Sequence, residues 1–152
     1  MGVRDVGFET PKLLIDGELV DSNSGATFET RNPATGEHLA DIPRGESQDV
    51  DRAVRAAREA QSEWYHDYSI RDRATMLRKF AELLREHAEH LGAIDAADSG
   101  NPYTAMKGDA EAAAECVDIF AGLALEIKGE TIPVSEDTLN YTLQQPYGAW
   151  AE

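Results

Sequence analysis

One helical stretch, Ser69–Leu91, constrains the fold more strongly than any other feature of the sequence. Its apolar residues are spaced alternately four and three apart: Ile70, Ala74, Leu77, Ala81, Leu84, Ala88 and Leu91. This spacing places them on one side of an α-helix, and Phe80 widens the stripe. Ser69 is a good N-cap, and Asp72 three residues later completes an acidic relative of the capping box. Because such a helix must cover its stripe, the chain is expected to fold around helix packing.

Two further segments have matching apolar faces. The first follows Ser47, its predicted N-cap, with Asp49 and Asp51 near the positive end of the helix dipole. Its apolar residues are Val50, Ala53, Val54, Ala57, Ala60 and Trp64. The second runs from about Tyr103 to Ile127, and its stripe is Met106, Ala110, Ala113, Val117, Phe120, Ala124 and Ile127. The many alanines permit close approach, so we predict three packed helices, with a fourth short one over 93–98 after a break near Gly92 and before a stop at 99–102.

Short strands are predicted on both sides of the helices. Asp16-Gly17 lies between two apolar runs and predicts a hairpin, because a type I′ turn needs positive φ at both central residues. Thr27–Arg31 and His38–Ile42 are predicted strands on either side of the turn-forming sequence Asn32–Gly36. Near the C-terminus, Leu139–Gly148 alternates apolar and polar residues, and we predict an unpaired arm strand there.

The composition excludes several classes of partner and location. The chain has 29 Asp+Glu against 14 Lys+Arg, a net charge of −15, which repels nucleic acid and anionic membranes. This charge is consistent either with adaptation to high salt or with an ordinary acidic soluble protein. A single cysteine suits a reducing compartment, so we expect a cytoplasmic location, and no apolar run is long enough to span a membrane.

Few residues are candidates for chemistry. Cys116 lies in the middle of a predicted helix beside acidic residues, which favours a structural cysteine over an activated thiolate. His87 and His90 are three residues apart, as metal ligands on a helix can be, but a solvated helix face is the simpler interpretation. No glycine pattern typical of phosphate or dinucleotide binding occurs.

Eight short motifs follow one another along the chain. They are Leu14–Val20, Asn32–Glu37, Asp49–Val54 with Trp64, Arg71–Ala74 with Leu77 and Leu83-Leu84, Asp98–Pro102, Ala121–Ala124, Gly129–Pro133, and Asn140–Thr142 with Pro146–Gly148. In this order and spacing they resemble the N-terminal part of the aldehyde dehydrogenase superfamily. The resemblance covers about residues 12–148, and at 98–102 the chain has Asp-Ser-Gly-Asn-Pro where the family has Asp-Ser-Gly-Lys-Pro.

The resemblance implies NAD(P)⁺-dependent oxidation of an aldehyde to a carboxylic acid. In the family a cysteine thiolate attacks the carbonyl, an asparagine side chain and a backbone N–H stabilise the oxyanion, and a glutamate activates water. None of these motifs has a counterpart in this sequence, and Cys116 matches a helix position that precedes them. We therefore expect no catalytic and no cofactor-binding residue, and no NAD or NADP bound by this chain alone.

One family position carries over as a candidate metal site. Asp109 matches an aspartate that, in some members, helps to hold a monovalent cation together with a backbone carbonyl just before the Asn-Pro turn, here that of Thr30 or Arg31. An exposed helix aspartate is the alternative interpretation of Asp109.

The sequence is thus interpreted as an α+β fragment of an α/β protein, with N-terminal β-hairpins, three to four packed amphipathic helices and a C-terminal arm strand. The expected divisions are a lead-in (1–11), the N-terminal helical part of a cofactor-binding domain (12–138) and the start of an oligomerisation arm (139–152). The last four residues depart from the family, which indicates a truncated or disrupted reading frame or a deliberately shortened chain.

Expected partners are other aldehyde dehydrogenase chains, or a second copy through Leu139–Gly148. The alternative function is a non-catalytic helical interaction module that associates with dehydrogenase subunits.

Overall fold

A computed structural model describes residues 11–149 of the chain. The elements, in chain order, are β1 (Leu13–Ile15), β2 (Glu18–Val20), β3 (Thr27–Arg31), β4 (His38–Pro43), α1 (Ser47–His66), α2 (Ile70–Glu86), α3 (Ala88–Ser99), α4 (Tyr103–Leu123), a short 3-10 helix (Ala124–Glu126), β5 (Thr131–Ser135) and β6 (Thr138–Tyr141). The predicted α+β architecture of hairpins, packed helices and a C-terminal strand segment is confirmed. Most of the predicted lead-in, residues 1–10, lies outside the described residues.

The six strands form three separate antiparallel pairs, β1–β2, β3–β4 and β5–β6. The first hairpin turns at Asp16 and Gly17, whose φ angles of 56° and 74° are both positive. These are the angles that a type I′ turn requires, so the predicted turn is confirmed. The second pair encloses the Asn32–Gly36 turn, as predicted from its sequence.

The helical core is built from small side chains. Its buried apolar residues are Ala74, Ala81, Ala88, Ala93, Ala96, Ala97, Ala114 and Ala121, and within residues 11–149 no large side chain is fully buried. Helices α2 and α3 both pack against α4, and alanine contacts let the helix axes approach closely. Larger apolar residues of the same helices are left at the surface.

The predicted helix over 69–91 is two helices. Ser69 caps α2 as expected, because its hydroxyl accepts the Asp72 N–H at 3.2 Å and the Asp72 carboxylate accepts the Ser69 N–H at 3.0 Å. The break falls at His87 rather than near Gly92, and Gly92 is a buried residue within α3. The predicted position of the break was wrong because Gly92 does not end a helix. It lets α3 pack closely on α4, where its backbone lies against that of Lys107.

The inward face of α4 also differs from the prediction. Ala114 and Ala121 are buried, whereas Ala113, Phe120 and Ile127 of the predicted stripe are exposed. The stripe is therefore rotated by about one residue, since an alanine face allows the close contact with α2 that phenylalanine would prevent. Helix α1 begins at Ser47, one residue earlier than expected, because its N-cap is Glu46 and not the predicted Ser47.

The predicted unpaired arm strand is only partly correct. Thr138–Tyr141 pairs with Thr131–Ser135 in an antiparallel hairpin, and residues 142–149 are not in a strand. The prediction was wrong about pairing because it missed the turn at Glu136-Asp137, which joins two adjacent extended segments. Every residue of this hairpin is exposed. Among the described helices, none is long and apolar enough to cross a membrane.

Candidate functional site

The Asn32–Gly36 turn is held by its own polar groups. The Asn32 side-chain oxygen accepts the N–H groups of Ala34 at 2.9 Å and Thr35 at 3.2 Å. The Asn32 backbone N–H donates to the Glu37 carbonyl at 2.9 Å, and Gly36 donates to the Asn32 carbonyl at 2.7 Å. These bonds explain the sequence of this motif, because asparagine mimics a backbone turn and Gly36 adopts a φ of 75°.

An ion pair braces the strand that enters this turn. The Arg31 guanidinium donates to both carboxylate oxygens of Glu29, at 3.1 and 2.7 Å, and to the Gly36 carbonyl at 3.1 Å. Its hydrogen bond lowers the pKa of the Glu29 carboxyl and, reciprocally, raises the pKa of the Arg31 guanidinium. Both side chains are exposed, so the pair orders the turn and contributes little stability.

Two of the family-like motifs, far apart in sequence, meet at the end of α3. The Thr30 hydroxyl donates to the Asp98 carboxylate at 2.5 Å. Gly100 ends α3 with a φ of 78°, and a Cβ at this position would lie 2.8 Å from the Pro33 ring. The Asn-Pro turn and the Asp-Ser-Gly-Asn-Pro segment therefore form one junction between the N-terminal hairpins and the helices.

Asp109 and Thr30, predicted to hold a cation through the Asp109 carboxylate and the backbone carbonyl of Thr30 or Arg31, lie on α4 and β3. The Thr30 side chain bonds to Asp98, while Asp109 is exposed on α4 and no hydrogen bond within residues 11–149 links it to Thr30. No group of three or more His, Cys, Asp or Glu that could hold a metal ion occurs in the part of the chain that the structure describes. The Asp109 and Thr30 cation site therefore stays a prediction. The contact of Asp98 with Thr30 was missed because it spans 68 residues and leaves no local signal.

A second polar junction connects α1 with α2. The Arg73 guanidinium donates to the carbonyls of Trp64 at 3.1 Å and Tyr68 at 3.0 Å, and so satisfies carbonyl groups at the end of α1. Asp72 caps the start of α2, and its hydrogen bonds with Ser69 lower the pKa of the Asp72 carboxyl. The Arg71–Ala74 motif is thus explained by the turn between two helices.

The remaining candidates have no chemical partners in the part of the chain that the structure describes. Cys116 lies in the middle of α4 as expected, but it is exposed rather than packed in the core. His87 and His90 are exposed, and they flank the start of α3. A shallow groove of about 280 Å³ separates the β1–β2 hairpin from α1, and it is lined by Leu14, Ile15, Asp16, Gly17, Ala53, Ala56, Ala57 and Ala60. Apart from Asp16, this lining offers no ionisable side chain.

The comparisons with known proteins identify the family. The profile of the Aldehyde dehydrogenase family matches residues 19–152. The Bacillus subtilis (strain 168) protein DhaS, described as a putative aldehyde dehydrogenase, is 44% identical over 142 residues, which are 91% of this chain and 28% of DhaS. An aldehyde dehydrogenase of Enchytraeus buchholzi is 38% identical over 96% of this chain and 30% of its own length. The chain belongs to the aldehyde dehydrogenase family, and it spans less than a third of these relatives.

Solved structures agree with this assignment. An aldehyde dehydrogenase of Bacillus cereus superposes with a TM-score of 0.83 at 40% identity, over 91% of this chain and 29% of that one. HpcC of Thermus thermophilus gives a TM-score of 0.82 at 33% identity, over 90% of this chain and 27% of its own. The hairpins and four helices therefore reproduce a part of that fold.

Proposed function

We propose that this chain is the N-terminal structural part of an NAD(P)⁺-dependent aldehyde dehydrogenase and is catalytically inactive by itself. This proposal rests on what the polar side chains of the family-like motifs contact. The polar groups of the Asn-Pro turn, the Arg71–Ala74 motif and the end of α3 are directed to one another or to helix ends. These residues fix the arrangement of hairpins and helices, which is a structural role rather than contact with a substrate.

The cofactor of the intact family member follows from the relatives rather than from this chain. One Bacillus cereus aldehyde dehydrogenase structure is an NAD⁺ complex, and a related Escherichia coli structure is described as an NADP-dependent enzyme. NAD⁺ or NADP⁺ is accordingly the cofactor proposed for the whole enzyme. This chain alone is expected to bind neither, since its described groove offers no glycine-rich phosphate loop at a helix N-terminus.

The first prediction is catalytic silence. The purified chain, incubated with NAD⁺ or NADP⁺ and a panel of aldehydes, should produce no reduced cofactor, with the Bacillus cereus enzyme as positive control. The assay is run in dilute buffer and in molar KCl, because a net charge of −15 is also what adaptation to high salt would produce. Turnover that disappears in Cys116→Ala would contradict the proposal by making Cys116 a nucleophile. Turnover that survives this change would place the chemistry elsewhere in the chain and contradict it equally.

The alternative function, a non-catalytic interaction module, is favoured by the exposed β5–β6 hairpin. The Thr142 N–H donates to the Glu130 carbonyl at 2.9 Å. Because N–H groups alternate in direction along a strand, the Asn140 N–H points towards β5 and the Tyr141 N–H points away from it. On β5, Pro133 has no N–H to offer on the corresponding outer edge. Within residues 11–149 one edge of β6 is unpaired, and this edge, with exposed Leu139 and Tyr141, is therefore the proposed site for pairing with another dehydrogenase chain or a second copy.

The second prediction tests this edge. Light scattering should show assemblies of the intact chain, alone or mixed with the Bacillus cereus enzyme, and these assemblies should be lost in Tyr141→Pro. Proline at position 141 removes the N–H that points away from β5. The hydrogen bonds that the N–H groups of Asn140 and Thr142 make within the hairpin stay in place. Thr142→Pro removes the hydrogen bond to the Glu130 carbonyl within the hairpin. It is the matched control that shows the effect of damage to the hairpin itself. If Tyr141→Pro assembles like the unmodified chain, the edge of β6 is not the pairing site.

A further inference from the structure

We draw no further inference here: the strongest candidate, the exposed apolar surface of α2 and α4 around Phe80 and Phe120, carries none, because the chain spans less than a third of its relatives and nothing in the structure shows what covers this surface.

Discussion

Asp49→Asn is expected to lower the free energy of unfolding by about 2–4 kcal/mol, the range for disrupting hydrogen bonds of a buried charged group and leaving a donor unsatisfied. Asp49 is 2% exposed, although carboxylates are almost never buried unless their charge is compensated. Its two oxygens accept the Asn23 N–H at 3.1 and 3.2 Å, and one of them also accepts the Glu46 N–H at 3.1 Å. Asp49 thus fastens the loop after β2 to the start of α1.

The amide of asparagine cannot reproduce this arrangement. One carboxylate oxygen becomes an NH₂ group, which would face a backbone N–H, so two donors would meet in a buried site. The substitution also removes a negative charge from the N-terminus of α1 and from the neighbourhood of Arg52, whose guanidinium lies 3.8 Å away. Each of these changes destabilises the folded chain.

Asp51→Asn is the matched control for the loss of charge. Asp51 lies two residues further along α1 and is exposed, so this change should alter stability by less than about 0.5 kcal/mol. Urea unfolding followed by circular dichroism gives both values. Equal midpoints for the two variants would show that the buried hydrogen bonds of Asp49 contribute nothing beyond its charge.

Asp49 also shows which parts of the fold could be predicted from the sequence. The Asp16-Gly17 turn, the Ser69–Asp72 capping box and the stop at Gly100 were all predicted correctly, because each depends on bonds or backbone angles within a few residues. For Asp49, the neighbouring sequence indicated only a favourable charge at the positive end of the helix dipole. Its bond to Asn23 spans 26 residues and has no local signature.

Helix faces were predicted less well for a related physical reason. In α4, apolar residues occupy two adjacent faces, so one stripe with alternating spacing fits the larger residues and another fits the alanines. The alanine face is buried because close contact between helices compensates for small side chains. Phe120 and Ile127 of the first stripe are consequently exposed, while Met106 and Val117 are half-buried.

The candidate site shows the same division. The resemblance included both motifs that meet at the end of α3, but the hydrogen bond between Thr30 and Asp98 was not predicted. A motif match identifies a position in the family, whereas the hydrogen bond of Thr30 depends on where the chain brings α3. The cation-binding role of Asp109 stays a prediction that a direct measurement of cation binding would test.

Gly92→Ala is the other change with a large expected effect. A Cβ on Gly92 would lie 2.6 Å from the backbone nitrogen of Lys107 and 2.7 Å from its Cα, far inside ordinary contact distance. Backbone atoms cannot rotate away as a side chain can, so α3 and α4 would have to separate. We expect a loss of about 2 kcal/mol or more, even though alanine favours a helix by about 1 kcal/mol over glycine.

Two other helical glycines provide the matched controls for this prediction. Gly108 and Gly122 both lie in α4, and a Cβ at either position would meet nothing within 4 Å. Gly108→Ala and Gly122→Ala should therefore show only the helix preference, a gain of up to about 1 kcal/mol. Urea midpoints should thus move in opposite directions for Gly92→Ala and for the two controls. If all three variants are stabilised, the close contact of α3 with Lys107 does not hold the helices together, and the alanine core of α4 must do so without it.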